Sequence, residues 1–164
     1  MVSYYEEKYF KYKIKYNNAK REFVGLNGGL VELNPNPNPN TNSIKAIAIF
    51  NTNNIKGSVI FEEVESNNLV LVKINLSGLE PNTTHGFHVH ESGDLSDGCN
   101  SLCAHFNPYN KTHGGREDEE RHVGDLGNLV SDPFGNSYMC FKDDVLSLFG
   151  QFPVVGRSVV VHAK

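Results

Sequence analysis

The 164-residue sequence lacks a long hydrophobic run, a secretion signal and an excess of basic charge. No apolar stretch approaches the ~20 residues that a membrane-spanning helix needs, which indicates a soluble protein. The start, MVSYYEEKYFKYK, has neither an apolar core nor a small-residue cleavage site, so we expect no secretory signal. The formal net charge of -4 argues against nucleic-acid binding by the chain as a whole.

Cysteine is also scarce. The three cysteines, Cys99, Cys103 and Cys140, are too few for a disulfide scaffold. An odd number leaves at least one thiol unpaired within the monomer. The sequence therefore predicts a reducing, intracellular location.

Composition divides the chain into an N-terminal Lys/Tyr-rich extension (1–33), an Asn/Pro linker (34–43) and a β-rich domain (44–164). Residues 1–23 carry a net charge of +3, which leaves -7 on the remainder. In the linker each proline lacks a backbone donor and restricts the residue before it, so neither a helix nor a central strand can form there.

The extension has its own patterns. Tyrosines at positions 5, 9, 12 and 16 follow helical spacing, which predicts a helix over 3–23. Its aromatic stripe could dock on another helix or a membrane surface, or could simply be a solvated or packed face. The run FVGLNGGLVEL (23–33) places a turn sequence between apolar residues, which predicts a small hairpin or a single strand.

From residue 44 onward the sequence consists of short strand-like runs separated by turn residues. This pattern is typical of an all-β antiparallel sandwich or barrel. Residues 91–135 have little strand character, and so long a loop in a compact domain is usually functional. The predicted strands are 44–50, 56–64, 69–76, 85–90, 136–141 and 157–162.

Two groups of metal-binding residue types occur in this domain. His88 and His90 alternate within a predicted strand, so both imidazoles point to the same face. His162 ends another strand and can project inward near that pair, which gives a three-histidine set suited to a redox copper ion. A second set, His105, His113, His122 and Asp125, offers three nitrogens and one carboxylate, the donors of a closed zinc site.

The long loop contains glycines that would let it wrap around one ion: Gly114, Gly115, Gly124 and Gly127. Spacing alone leaves a two-metal site and a set of unrelated structural histidines equally open. His85 has no partner at ligand spacing, which favours a structural role. Asp125 by itself could be a turn residue.

Five motifs occur in an order and spacing that resemble the copper/zinc superoxide dismutase family. They are GFHVHESGD (86–94), CAHFNP (103–108), HGG (113–115), DEERHVGDLGN (118–128) and GRSVVVHAK (156–164). The resemblance implies a Greek-key β-barrel or sandwich. It also implies an enzyme that uses copper and zinc to convert superoxide into dioxygen and hydrogen peroxide.

Matched by position to the family, each ligand set can be assigned. The resemblance implies His88, His90, His105 and His162 for copper, and His105, His113, His122 and Asp125 for zinc. His105 would bridge both metals and would be the catalytic residue that takes up and returns a proton. His85 matches a histidine that is not a ligand, and a hydrogen-bonding role is implied for it.

The family pattern continues past the position of Lys164. We therefore expect a barrel that lacks the last strand, the electrostatic loop and the arginine beside copper. Cys99 would lack its family disulfide partner, with Cys103 as the alternative. The missing strand would leave an open edge, which 23–33 could cover.

Several functional expectations follow from the resemblance. The partner would be the superoxide anion, with no nucleic acid or membrane, and a homodimer would be weakened by the absent tail. The alternative is a catalytically weak homologue that sequesters copper or competes for a copper chaperone. The KYFKYKIKY start resembles leader segments of giant DNA virus proteins, which implies a viral source, a location in the host cytoplasm and packaging in the virion.

Overall fold

In this computed structural model, the structure describes residues 9–13, 15–16, 43–64 and 69–163. Within these ranges the chain forms nine strands and one short 3₁₀ helix, Gly98–Leu102. The strands are β1 (Tyr9–Lys13), β2 (Lys15–Tyr16), β3 (Ser43–Asn51), β4 (Lys56–Val64), β5 (Leu69–Ser77), β6 (Thr84–His90), β7 (Asp125–Val130), β8 (Ser137–Asp143) and β9 (Ser158–His162).

The strands form two antiparallel sheets, which confirms the predicted all-β class. The first sheet has the order β1-β9-β6-β7, and the second has the order β2-β3-β4-β5-β8. The six predicted strands correspond to β3, β4, β5, β6, β8 and β9, with ends that differ by at most two residues. Strand periodicity therefore predicted four of the five strands of the second sheet and two of the four strands of the first.

One apolar core includes side chains from both sheets. In β5 alternate residues are buried, among them Val72, Ile74 and Leu76. From the first sheet, Phe87 and Val89 join the same core, each with no exposed surface. Successive residues of a strand point to opposite faces of the sheet, so the residues between Phe87 and Val89 and on either side of them lie on the outer face of the first sheet, away from the core.

The predicted helix over 3–23 is wrong for the part of that range that the structure describes. Residues Tyr9–Lys13 and Lys15–Tyr16 are strands, paired with β9 and β3 respectively. The physical reason is visible in the sequence, because apolar residues at 10, 12, 14 and 16 alternate with lysines at 11, 13 and 15. That period of two is a strand pattern, and two open sheet edges supply the backbone partners.

Strand β7 was not predicted, since it lies inside the stretch assigned to a loop. It pairs with β6, and the pairing shifts register between Gly86 and His88. Gly127 in β7 has a φ of +80°, which interrupts the regular alternation of its side chains. The irregular strand therefore gave no clear period of two in the sequence.

The predicted hairpin or strand over 23–33 and most of the linker, 34–42, lie outside the described residues. Strand β3 begins at Ser43. Among the residues that are described, no helix is long and apolar enough to cross a membrane.

Candidate metal centre

Strand β6 presents a different set of side chains on each face. Phe87 and Val89 point into the core, so His88 and His90 lie on the outer face of the first sheet. In β9, Val161 likewise points into the core, which places His162 on the outer face. His90 Nε2 lies 3.5 Å from His162 Nε2. His162 therefore lies close to the pair, as predicted. The three rings do not project inward, however, because they lie on the outer face of the first sheet.

His85 is buried on the core-facing side of β6 and stands apart from the other histidines. Its Nδ1–H donates to the main-chain carbonyl of His162 at 3.0 Å. This contact agrees with the hydrogen-bonding role predicted for His85. It also links the ends of β6 and β9, and so helps to position His162.

His105 lies at the centre of the histidine cluster. Its backbone forms an isolated antiparallel bridge with His90, which brings the start of the long loop against β6. The His105 ring stacks on that of His88 with an interplanar angle of 22°. Ring centroids near that of His105 are those of His88 at 3.9 Å, His90 at 5.0 Å, His113 at 5.3 Å, His122 at 5.7 Å and His162 at 5.9 Å.

Asp125, at the start of β7, faces three imidazoles. Its Oδ1 lies 2.9 Å from His105 Nδ1 and 3.0 Å from His113 Nδ1, and its Oδ2 lies 3.3 Å from His122 Nδ1. The side chain is fully buried. Burial raises the pKa of Asp125, but hydrogen bonds from the backbone N–H groups of Gly114 and His122, and from His105, outweigh it and lower that pKa. Asp125 is therefore held as an anion.

Among the described residues, two groups have potential ligand atoms within 4.8 Å of one another, and His105 belongs to both. The groups are His88, His105, His113 and Asp125, and His90, His105 and His162. By distance alone His88 falls with Asp125, and His122 is not a member of that group. All seven predicted ligands are nevertheless brought together on one face of the first sheet.

Sequence reasoning missed Arg121, which supports this cluster from behind. The buried guanidinium donates from Nη1 to the main-chain carbonyl of Asp125 at 3.0 Å and from Nη2 to Asp143 Oδ2 at 2.8 Å. It thereby ties the long loop to β8. The sequence indicated that Arg121 lies near the cluster only because the next residue is His122. Nothing in the sequence indicated that Asp143 is its partner.

A close backbone approach holds the loop on β6. The N–H of Gly124 donates to the carbonyl of Phe106 at 2.9 Å, and the N–H of Val89 donates to the carbonyl of Gly124 at 2.9 Å. A Cβ on Gly124 would lie only 2.1 Å from the carbonyl oxygen of Val89. Glycine is therefore required at position 124 because any side chain would collide with the backbone of β6, and not only because the loop needs conformational freedom.

Arg157 is a second support that sequence reasoning missed. It stacks on Phe106, with its guanidinium carbon 3.5 Å from the ring centroid, and Nη1 donates to the carbonyl of Glu91. These contacts hold the residue that follows His105 against the strand end that carries His90.

Burial makes the site unfavourable for cationic imidazoles. It lowers the pKa of His88 to about 3 and that of His162 to about 4, in each case helped by the charge of neighbouring histidines. Burial also lowers the pKa values of His90 and His105. Neutral imidazoles are the form that binds metal ions, so the site is prepared for metal ligation at neutral pH.

This burial predicts that the metal-free protein loses stability on acidification. The pKa values of His88 and His162 lie below the ordinary value of 6.5, so between about pH 6.5 and pH 4 the unfolded chain binds more protons than the folded chain. We expect the urea midpoint to fall steadily through this range. A His88→Gln variant should show a shallower fall, and a midpoint that is constant or rises on acidification would contradict the prediction.

The fold and this cluster together define a class of protein: an antiparallel β-sandwich with two adjoining groups of potential metal ligands that share one imidazole. A family model described as copper/zinc superoxide dismutase matches residues 55–164. The chain belongs to the copper/zinc superoxide dismutase family.

Several similar proteins are named superoxide dismutase [Cu-Zn]. A superoxide dismutase [Cu-Zn] of Paramecium bursaria Chlorella virus 1 is 48% identical over 120 residues, which cover 73% of this chain and 63% of that protein. One of Schizosaccharomyces pombe is 46% identical over 121 residues, covering 73% and 79%. The chain thus spans less than two thirds of the viral relative. A crystal structure of the clock protein EA4 matches with a TM-score of 0.69 and 47% identity, over 73% of this chain and 75% of that one.

Proposed function

We propose that this chain converts superoxide into dioxygen and hydrogen peroxide at a copper/zinc site bridged by His105. The observation that carries the proposal is the membership of His105 in both ligand groups. The proposed copper ligands are His88, His90, His105 and His162. The proposed zinc ligands are His105, His113, His122 and Asp125.

The residues fit both metals. Within the described residues, the buried Nδ1 atoms of His88 and His122 lack a hydrogen-bond partner, a cost that a bound ion would remove. Three imidazoles and a carboxylate are a common donor set for zinc, and imidazoles also suit copper. His122 Nδ1 lies only 3.3 Å from Asp125 Oδ2, which supports including it with the zinc donors.

Copper, when bound, supplies the one-electron oxidation and reduction that dismutation requires. His105 is the residue best placed to handle the proton. Its Nδ1 faces Asp125 Oδ1 at 2.9 Å, among the proposed zinc donors, so Nε2 is the ring nitrogen left to exchange a proton. Two superoxide anions and two protons thus give one dioxygen and one hydrogen peroxide, with Nε2 of His105 supplying one of the protons.

Metal analysis combined with stopped-flow superoxide decay tests the proposal directly. The chain loaded with copper and zinc should bind one of each and accelerate decay far beyond that of the same metals held by a chelator. Two bound metals with decay no faster than the buffer would instead support the alternative, a metal-binding homologue that sequesters copper. A chain that bound no copper would contradict both functions.

The charge distribution predicts an unusual dependence of the rate on salt. Outside residues 1–23 the chain carries a net charge of -7, which repels the superoxide anion. Raising the ionic strength from about 0.01 M to 0.15 M shortens the Debye length from about 30 Å to 8 Å and screens that repulsion. We expect the second-order rate constant to stay level or rise, and to remain below the diffusional ceiling of about 10⁸–10⁹ M⁻¹s⁻¹. A steep fall with salt, or a rate at the ceiling, would show that steering is intact.

A further inference from the structure

The N-terminal segment contributes a strand to each of the two sheets. Strand β1 forms the edge of the first sheet beside β9, and β2 forms the edge of the second sheet beside β3. Only residue 14 separates them. One short segment therefore crosses from one sheet to the other and covers an edge of each.

The pairing of β1 with β9 extends to a proposed copper ligand. Tyr9 pairs with His162, and the register continues to Lys13 opposite Ser158. On its other side β9 pairs with β6 from Ser158 to Val161, and beyond that ladder the His85 side chain of β6 donates to the His162 carbonyl. The ladder with β1 therefore reaches one residue further than the ladder with β6, and that residue is His162.

Apart from the shared His105, the proposed zinc donors lie far from this segment in the sheet order. Asp125 begins β7, at the opposite edge of the first sheet from β1. His113 and His122 lie in the loop that precedes β7. Hydrogen bonds from Gly114 and Arg121 support this zinc side, and neither involves β1.

We propose that residues 9–16 are a closing strand that positions His162, so that copper binding depends on this segment and zinc binding does not. The proposal rests on the proposed copper/zinc site. The physical reason is that a strand end with fewer backbone hydrogen bonds opens more readily, and a ligand on a fraying end binds metal weakly. Backbone pairing with β1 keeps the last residue of β9 in register.

Two substitutions in the full chain test the role of backbone pairing. Consecutive residues of a strand point their N–H groups to opposite sides, so Lys11→Pro/Tyr12→Pro must remove a donor that faces β9. The matched control is Lys11→Ala/Tyr12→Ala, which shortens the same side chains, removes the same charge and keeps both donors. The variants are compared by amide hydrogen exchange without metal, and by separate titrations with Cu²⁺ and Zn²⁺.

We expect the proline variant to show faster exchange at Val159–His162 and Cu²⁺ affinity at least about 10-fold weaker, within the range for loss of a group that orients a ligand. Zn²⁺ affinity should change less than about 3-fold, which is within the context-dependent scatter of such measurements. The Cu²⁺ spectrum should also shift, because one imidazole is displaced. The alanine variant should resemble the parent in all four readouts.

Other results overturn the proposal. If the proline variant lost Cu²⁺ and Zn²⁺ affinity equally, or did not fold, the segment would support the whole fold and not the copper ligand in particular. Unchanged exchange in β9 would show that β1 does not hold it. If the parent chain itself bound no copper, the proposed function would fail, while the exchange measurement on metal-free protein would still decide whether β1 holds β9.

Discussion

Replacing His105 with glutamine should abolish accelerated superoxide decay and weaken the binding of both metals together. His105 is the one side chain shared by the two ligand groups in the described part of the chain, so its loss removes a donor from each. Loss of a residue that merely orients a ligand costs about 10–100-fold in metal affinity. We expect the loss of the shared ligand to reach at least the upper end of that range for copper and for zinc, in competition titrations with a chelator.

His85→Gln is the matched control, because it makes the same substitution in a histidine that belongs to neither ligand group. His85 lies on the core-facing side of β6 and bonds to a carbonyl rather than facing the other rings. We expect this variant to bind one copper and one zinc, since the glutamine amide can still donate to the His162 carbonyl. The bridging role would be wrong if His105→Gln lost only one of the two metals, or if both variants lost them equally.

Replacing Asp143 with alanine should destabilise the metal-free protein by about 3–5 kcal/mol, the usual cost of removing one partner from a buried ion pair. Asp143 Oδ2 accepts a hydrogen bond from Arg121 Nη2 at 2.8 Å, and both side chains are almost fully buried. Asp143 Oδ1 also accepts from the N–H groups of Val145 and Leu146. Its removal leaves a buried guanidinium without its carboxylate and two backbone donors without an acceptor. Urea denaturation measures the loss.

Asp144→Ala provides the control, because Asp144 is the next residue and is exposed. We expect its unfolding free energy to stay within about 0.5 kcal/mol of the parent, as is usual for a surface substitution. Asp143→Asn should fall between the two, since the amide keeps one oxygen acceptor but loses the charge. Similar values for Asp143→Ala and Asp144→Ala would mean that the Arg121–Asp143 pair contributes little to the fold.

Much of the site could be predicted from the sequence because its chemistry depends on residue type and short spacing. His88 and His90 alternate in a strand, and a period of two places both rings on one face whatever the rest of the fold does. Asp125 and three histidines were predicted as one donor set, and in the structure the three imidazoles surround the Asp125 carboxylate. Assigning individual residues to copper or to zinc came only from the family resemblance.

The errors arose where local pattern was ambiguous. Residues 9–16 satisfy a helical spacing of tyrosines and a strand alternation of apolar residues with lysines. The open edges of β9 and β3 select the strand, and both edges are formed by residues distant in the sequence. Strand β7 shows the opposite case, because Gly127 interrupts its alternation and the strand is defined by its pairing with β6, which itself shifts register.

The sequence by itself determined the all-β class, most of the strands and the histidines that form the cluster, because alternation and turn residues act over a few positions. Only the tertiary structure decided which face of the sheet carries the cluster, which side chains support it and what covers the sheet edges. The pairing of Arg121 with Asp143 and of β1 with β9 joins residues far apart in the chain. Such contacts depend on the packing of complete sheets, which no short stretch of sequence specifies.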